Sequence, residues 1–381
     1  MLHPIVPRVV ALALLSFMGL VPGPSSAAAP PPKRLLAYYT FWSKWNSPAY
    51  NADNIPYQKL THIAHAFLLL DKKYIGNIVV SDGLIEPALI ANAHAAGVKV
   101  SISIGGGDPV QAHAFRKIAA DPAIRTVFVQ NVYDFVVANG YDGVDIDWEI
   151  PVNSKDTNNC IALMQDLRNQ FPAPQYLLSM AIPADPRSWG SGFNVSALAP
   201  LLDFINVMTY DFYGPWSDRA GINSPLFQDT ADPEQAGSIA ASMDLFANIY
   251  GVAPDKLNMG TAFCGYEFDS TQQLWDTCTD CGNTTFTVNY GTDIKPRINQ
   301  MGWVRRRDSV AKSPYLLNQG VGGQPGFISY DDAQSTTTKV NYVMGKRGFG
   351  GVFMWSLDAD YDGTSQDLLD AMYGAFRRHQ K

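Results

Sequence analysis

From Arg34 onward the chain repeats one pattern: a short apolar run of strand length, then a longer stretch with helical spacing. The runs are RLLAYYTF (34–41), THIAHAFLLL (61–70), KVSISIGG (99–106), GVDIDWE (143–149), YLLSMAIP (176–183), DFINVMTYD (203–211), KLNMGTAF (256–263) and GGVFMWSL (350–357). Between them, segments such as GLIEPALIANAHAAG, PAIRTVFVQNVYDFVVANG and NNCIALMQDLRNQF space their apolar residues as helices do. Strands alternating with helices predict βα units and a parallel sheet. Eight such units predict an α/β fold of the closed (β/α)8 TIM-barrel type. The competing architecture is an open doubly wound sheet. SIGGGDP supplies glycines for it, but neither the G-x-G-x-x-G spacing nor the acidic ribose partner of a dinucleotide turn.

One interval breaks the rhythm. About 86 residues separate Phe263 from Gly350, where a βα unit takes about 30. The excess has its own aromatic and alternating pieces, TTFTVNY and MGWVRRR. It predicts a small α+β insertion domain over residues 266–327, between strands seven and eight, on the face where barrel active sites lie. The barrel itself is then expected over 33–265 and 328–380.

The N-terminus reads differently. Arg8 precedes an apolar run from Val9 to Leu20, and small residues follow from Ser25 to Ala29. That is the layout of a secretory signal peptide over residues 1–27, cleaved near Ala27. Its apolar run of about 12 residues falls short of the ~20 that span a bilayer. The mature chain is therefore expected to be secreted, extracellular, monomeric and free of the membrane. A composition of 46% apolar and 17% charged residues is that of a globular protein. The net charge of −7 leaves no basic face for nucleic acid or anionic lipid. Eight tryptophans within a 12% aromatic share offer rings for stacking ligands as well as for the core. Cys160, Cys264, Cys278 and Cys281 allow three full disulfide pairings. Cys278-Thr-Asp-Cys281 looks like half a zinc site, but no second pair or nearby His completes it; a local disulfide or free thiols are expected, and no metal.

The chemistry concentrates in YDGVDIDWEI, residues 141–150. On a strand Asp145, Asp147 and Glu149 share one face, and Val144, Ile146 and Trp148 the other. Parity would put Asp142 outward, so either it sits in the turn before the strand or Gly143 permits a local irregularity. Stacked carboxylates are costly unless they hold protons or hydrogen bonds. Each raises its neighbours' pKa, which makes Glu149, outermost, a general acid and Asp147 the group that stores a proton. A Ca²⁺ loop would carry Gly and Asn among its ligands rather than Val, Ile and Trp.

DGVDIDWE also resembles the D-x-x-D-x-D-x-E signature of glycoside hydrolase family 18, the chitinases and their relatives. SISIGG (101–106) is similar to that family's S-x-G-G strand, MTYD (208–211) with Tyr213 to its sixth-strand motif, and GGVFMWSLDAD to its eighth strand. GFISYDD and KVNYVMGKRGFGG resemble the segment leaving the chitinase insertion domain. The resemblance covers about residues 34–377 and implies a retaining hydrolase whose substrate supplies the nucleophile. It implies Glu149 as the acid, Asp147 orienting the sugar's acetamide, Tyr210 bonding the acetamide carbonyl, and Asp145 with Ser103 supporting Asp147. It further implies Trp355 beneath the distorted sugar, Met208 and Asp211 at its rim, and Asp142 as a remoter member. Tyr39, Trp42, Trp216 and Trp303 are candidates for further sugar subsites.

The chain departs from the family pattern at Ile150, where many members have Tyr, and at Cys264-Gly265-Tyr266, where the seventh strand usually runs into Y-G-R. The implied substrate is chitin or chitooligosaccharide, with no cofactor. An endo-β-N-acetylglucosaminidase acting on N-glycans and a non-hydrolytic chitin-binding lectin are the alternatives. Lectin relatives typically lose the terminal Glu or its Asp, and both are present here.

Overall fold

A computed structural model describes residues 32–149, 151, 153–185, 192–269, 271–321 and 325–380. The expected signal segment, residues 1–27, and Ile150 lie outside the described residues. Eight parallel strands close on themselves: β1 (Arg34–Thr40), β2 (His62–Leu70), β3 (Lys99–Gly105), β4 (Gly143–Asp147), β5 (Leu177–Pro183), β6 (Phe204–Met208), β7 (Leu257–Ala262) and β8 (Gly351–Trp355). Closure is made by β8 pairing with β1, as in Leu36 opposite Phe353.

The outer layer follows from ordinary helix signals. Asp108 caps Pro109–Ala120 by accepting from the Val110 N–H, and Asp121 caps Pro122–Asn139; both helices begin on proline. Gly140, at φ 75°, ends the second one. Val144 and Ile146 of β4, and Trp148 just after it, fill the space beneath these helices and are fully buried. The Trp148 ring stacks on Phe115, centroids 5.3 Å apart.

The inner layer is polar. Ser103, Asp145 and Ser179 sit side by side on β3, β4 and β5, and Asn206 and Asn258 on β6 and β7. All five are buried. Two expected strands stop short. β4 ends at Asp147 rather than 149, and β6 at Met208 rather than 211, because the chain turns at the rim. Asp211 makes that turn at φ 64°.

Between β7 and β8 the chain builds a five-stranded antiparallel sheet, in the order Thr285–Asn289, Cys264–Asp269, Gly326–Ser329, Pro314–Asn318 and Val304–Arg307. It begins at Cys264 and its fourth strand in chain order ends at Asn318, its fifth at Ser329, so sheet pairing reaches past residues 266 and 327 on either side. Phe268, Phe327, Tyr213 and Tyr266 form a second small core with Cys278 and Cys281. Those two cysteines form a disulfide, while Cys160 and Cys264 are buried thiols. The local pairing is thus the one adopted, the two sulfurs being brought together by a turn across four residues.

Where the chain leaves this sheet, Asp331 meets Lys339 of the helix Ala333–Val340. The ammonium lies 2.5 and 2.6 Å from the two carboxylate oxygens and 3.2 Å from Ser224 Oγ. Lys339 is wholly buried and Asp331 nearly so. Removing one member of such a pair strands a charge in the interior. Lys339→Met is expected to cost about 3–5 kcal/mol in urea unfolding. The double variant with Asp331→Leu should recover most of that loss.

Candidate active site

A cavity of about 1010 Å³ opens at the carboxyl ends of the strands. Its floor and walls include Tyr38, Asp147, Glu149, Met208, Tyr210, Asp211 and Trp355. Just below it lies Asp145, wholly buried, with four donors turned on its carboxylate. Tyr38 OH and Ser103 Oγ each donate to Oδ2 at 2.8 Å. Ser179 Oγ at 2.6 Å and Asn206 Nδ2 at 3.3 Å donate to Oδ1. The set continues down the barrel axis. Asn206 accepts from Asn258 Nδ2 at 2.9 Å, and Asn258 accepts from Arg34 Nε at 2.9 Å. Burial raises the Asp145 pKa and the four donors draw it back down, leaving it above the ordinary carboxylate range. With every lone-pair direction engaged, Asp145 is equipped to hold negative charge.

Asp147 has the opposite surroundings. It is 4% exposed, and its Oδ1 has no hydrogen-bond partner among the described residues. Burial, then the charges of Glu149 and Asp145, push its pKa well up, which favours its neutral form. Glu149, at the mouth, is raised to about 7 by burial first and by the charge of Asp211 second. Asp211 is itself raised to about 6 by burial, against the pull of a 3.0 Å bond donated by Tyr266 OH. A proton is therefore retained near neutral pH at the outermost acid, as general-acid chemistry requires.

Glycine lets these groups approach. A Cβ on Gly105, at φ 111°, would stand 2.3 Å from the Asp147 carbonyl oxygen. One on Gly107 would stand 3.1 Å from Glu149 Oε1. Opposite the acids, the Trp355 ring stacks on Phe67, centroids 5.6 Å apart and 21° between planes, with Tyr38 against its edge. Among the described residues no group of three or more His, Cys, Asp or Glu is arranged to hold a metal ion.

Residues 34–360 match the model of the glycosyl hydrolases family 18. The chain belongs to this family. It is 29% identical to chitinase A1 of Niallia circulans over 91% of its own length and 59% of that protein's. It is likewise 29% identical to a probable endochitinase of Caenorhabditis elegans, over 85% of this chain and 55% of that one. It thus spans between half and two thirds of these two relatives. Among solved structures, catalytic domain 2 of the Ostrinia furnacalis Group II chitinase superposes with a TM-score of 0.81 at 26% identity, covering 91% of this chain and 97% of that one. That domain has also been solved in complex with (NAG)5. The Group IV chitinase of the same insect shares the fold, with a TM-score of 0.80 at 23% identity, covering 91% of this chain and all of the other.

Of the residues singled out in this family 18 sequence, the structure brings Glu149, Asp147, Tyr210, Met208, Asp211 and Trp355 to the cavity and Asp145 with Ser103 directly beneath it. Trp216 lines the outer wall, 51% exposed. Others lie elsewhere. Tyr39 faces out of the barrel, stacked on His65 and donating to Glu86 at 2.9 Å. Asp142 lies before β4, paired with Lys99 at 2.7 Å and His94 at 2.8 Å. Tyr213 is buried in the second core and donates to Asp232. Trp42 packs on Phe67, and Trp303 is buried under Arg297. Tyr38, Ser179 and Asn206 went unnoticed in the sequence. Strand parity puts one of the adjacent tyrosines 38 and 39 inside, and only the closed barrel says which.

The raised carboxyls couple stability to pH. The fold prefers Glu149 protonated, so its contribution is complete below about 4.5 and is lost as pH rises through about 7. A rise from 4.5 to about 7 is worth about 3 kcal/mol at full deprotonation. Asp147 and Asp211 act with the same sign. The melting temperature is therefore expected to fall between pH 4.5 and 7.5, and the fall should be shallower in Glu149→Gln, as differential scanning calorimetry would read.

Proposed function

We propose that this family 18 protein is a chitinase, cutting β-1,4 bonds between N-acetylglucosamine units with retention of anomeric configuration. The observation that carries the reading is the graded row of acids. Asp145 is saturated with donors, Asp147 lacks a partner on Oδ1, and Glu149 holds its proton to about 7 beside a Trp355 floor. In this reading Glu149 gives its proton to the glycosidic oxygen as the bond to the anomeric carbon breaks. The sugar's own acetamide oxygen attacks that carbon from the other face, forming an oxazolinium ion. Asp147 orients the acetamide N–H, and Asp145 below supplies the negative field that favours the developing cation. Tyr210 donates to the acetamide oxygen. Water, deprotonated by the Glu149 carboxylate, then opens the ring and restores the acid.

The named relatives are chitinases, and the Ostrinia domain was solved with (NAG)5, which supports the same substrate here. Trp216 on the outer wall offers a stacking face to a further sugar unit.

The deciding experiment follows N-acetylglucosamine hexamer cleavage with anomers resolved. Wild type should release β-anomer first, and Glu149→Gln should lose about 10²–10⁴ in kcat while still binding the hexamer. Early α-anomer product would rule out retention, and binding without cleavage by wild type would indicate a lectin. We also propose that the protein is exported with residues 1–27 removed; N-terminal sequencing of the extracellular protein should then begin near Ala28.

A further inference from the structure

Asp211 is held by one neutral acceptor and one neutral donor. Its backbone N–H donates to Asn223 Oδ1 at 2.8 Å, and its Oδ1 accepts from Tyr266 OH at 3.0 Å. Tyr266 lies on the strand Cys264–Asp269, which follows β7 directly, and its ring meets the edge of Trp216 at 5.7 Å. The Tyr266 phenol brings Asp211 one hydrogen bond and no charge.

We propose that Tyr266 is a positioning residue that acts through Asp211, holding the negative charge of the Glu149–Asp211 pair on Asp211 and the reacting proton on Glu149. This deepens the reading of Glu149 as the acid and rests on it. Glu149 and Asp211 line the same cavity, and of two such buried carboxyls the one with a hydrogen-bond donor on its oxygens ionises first. Tyr266 gives Asp211 that donor.

Among the described residues no other side chain donates to the Asp211 carboxylate. The titratable groups facing the pair are Asp147 from β4, Tyr210 after β6, Cys264 beside Tyr266 on the same strand, and Tyr38 from β1. Asp185 and Glu234 also line the cavity, and Glu234 lies 3.9 Å from Arg219. Asp358, after β8, acts on Cys264. The thiol of Cys264 is pushed up to about 12 by burial and by Asp211, so it stays neutral. No Lys, Arg or His is found among the described residues that line the cavity.

Without the Tyr266 hydroxyl the proton moves to Asp211 and Glu149 ionises at lower pH. The test is the pH profile of kcat on the N-acetylglucosamine hexamer for wild type, Tyr266→Phe, Asp211→Asn and the double variant. Tyr266→Phe should keep kcat within about twofold at pH 5, lose about tenfold at pH 7, and leave KM within about twofold. Asp211→Asn, which removes the charge but keeps an oxygen for Tyr266 to bond, should move the basic limb the same way. Adding Tyr266→Phe to it should move the limb no further. An equal loss at every pH, or a further shift in the double variant, would mean that Tyr266 acts on structure or substrate rather than through Asp211. An unmoved limb in both single variants would overturn the proposal while leaving Glu149 as the acid. Turnover surviving in Glu149→Gln would overturn both.

Discussion

The cluster of donors on Asp145 is the constraint around which the barrel is organised. A carboxylate sealed in a protein interior is stable only if its oxygens are bonded, and here four strands each send a donor to it: Tyr38 from β1, Ser103 from β3, Ser179 from β5 and Asn206 from β6. The strands must therefore hold a common register at that level. Asn206, Asn258 and Arg34 carry the same polar layer toward the other end of the barrel. Beside this polar layer Phe353 packs against Tyr38, and outward, under the helices, Trp148 meets Phe115.

From that buried anchor the electrostatic character changes with each step toward solvent. The donors nearest Asp145 are engaged on it, and Asp147 Oδ1 has no partner among the described residues. A carboxyl in that position favours its neutral form. Glu149 sits one step further out, where the charge of Asp211 adds to burial. The same alternation that gives a strand its two faces has spaced three acids along one line with three different proton affinities. The insertion sheet enters this arrangement directly. Its first strand places Tyr266 on Asp211, so the rim's charge depends on an element outside the barrel.

Much of this was legible in the chain. The eight apolar runs gave the strands to within a few residues, since period-two alternation and helical spacing are local properties. The row Asp145, Asp147, Glu149 followed from parity alone, and its cost in an apolar setting pointed to proton chemistry before any geometry was known. The grouping of Glu149, Asp147, Tyr210, Met208 and Trp355 was legible through motifs on separate strands, because a barrel gathers all carboxyl ends on one face.

Tertiary structure decided what local pattern could not. Tyr38 and Tyr39 are indistinguishable in sequence; closure of the barrel turns Tyr38 to Asp145 and Tyr39 to Glu86 on the outside. Asp142 belongs to the same acidic segment yet pairs with Lys99 and His94 at the far end of β4, because a strand carries its two ends apart. The donors Ser179 and Asn206 lie on strands with no acidic signature, and only pairing across the barrel brings them to Asp145. Sequence alone determined the kinds of residue and their spacing along each strand. Which of them meet, and hence which acid holds the proton, was set by contacts between strands distant in the chain, where burial and donor count fix each carboxyl's charge.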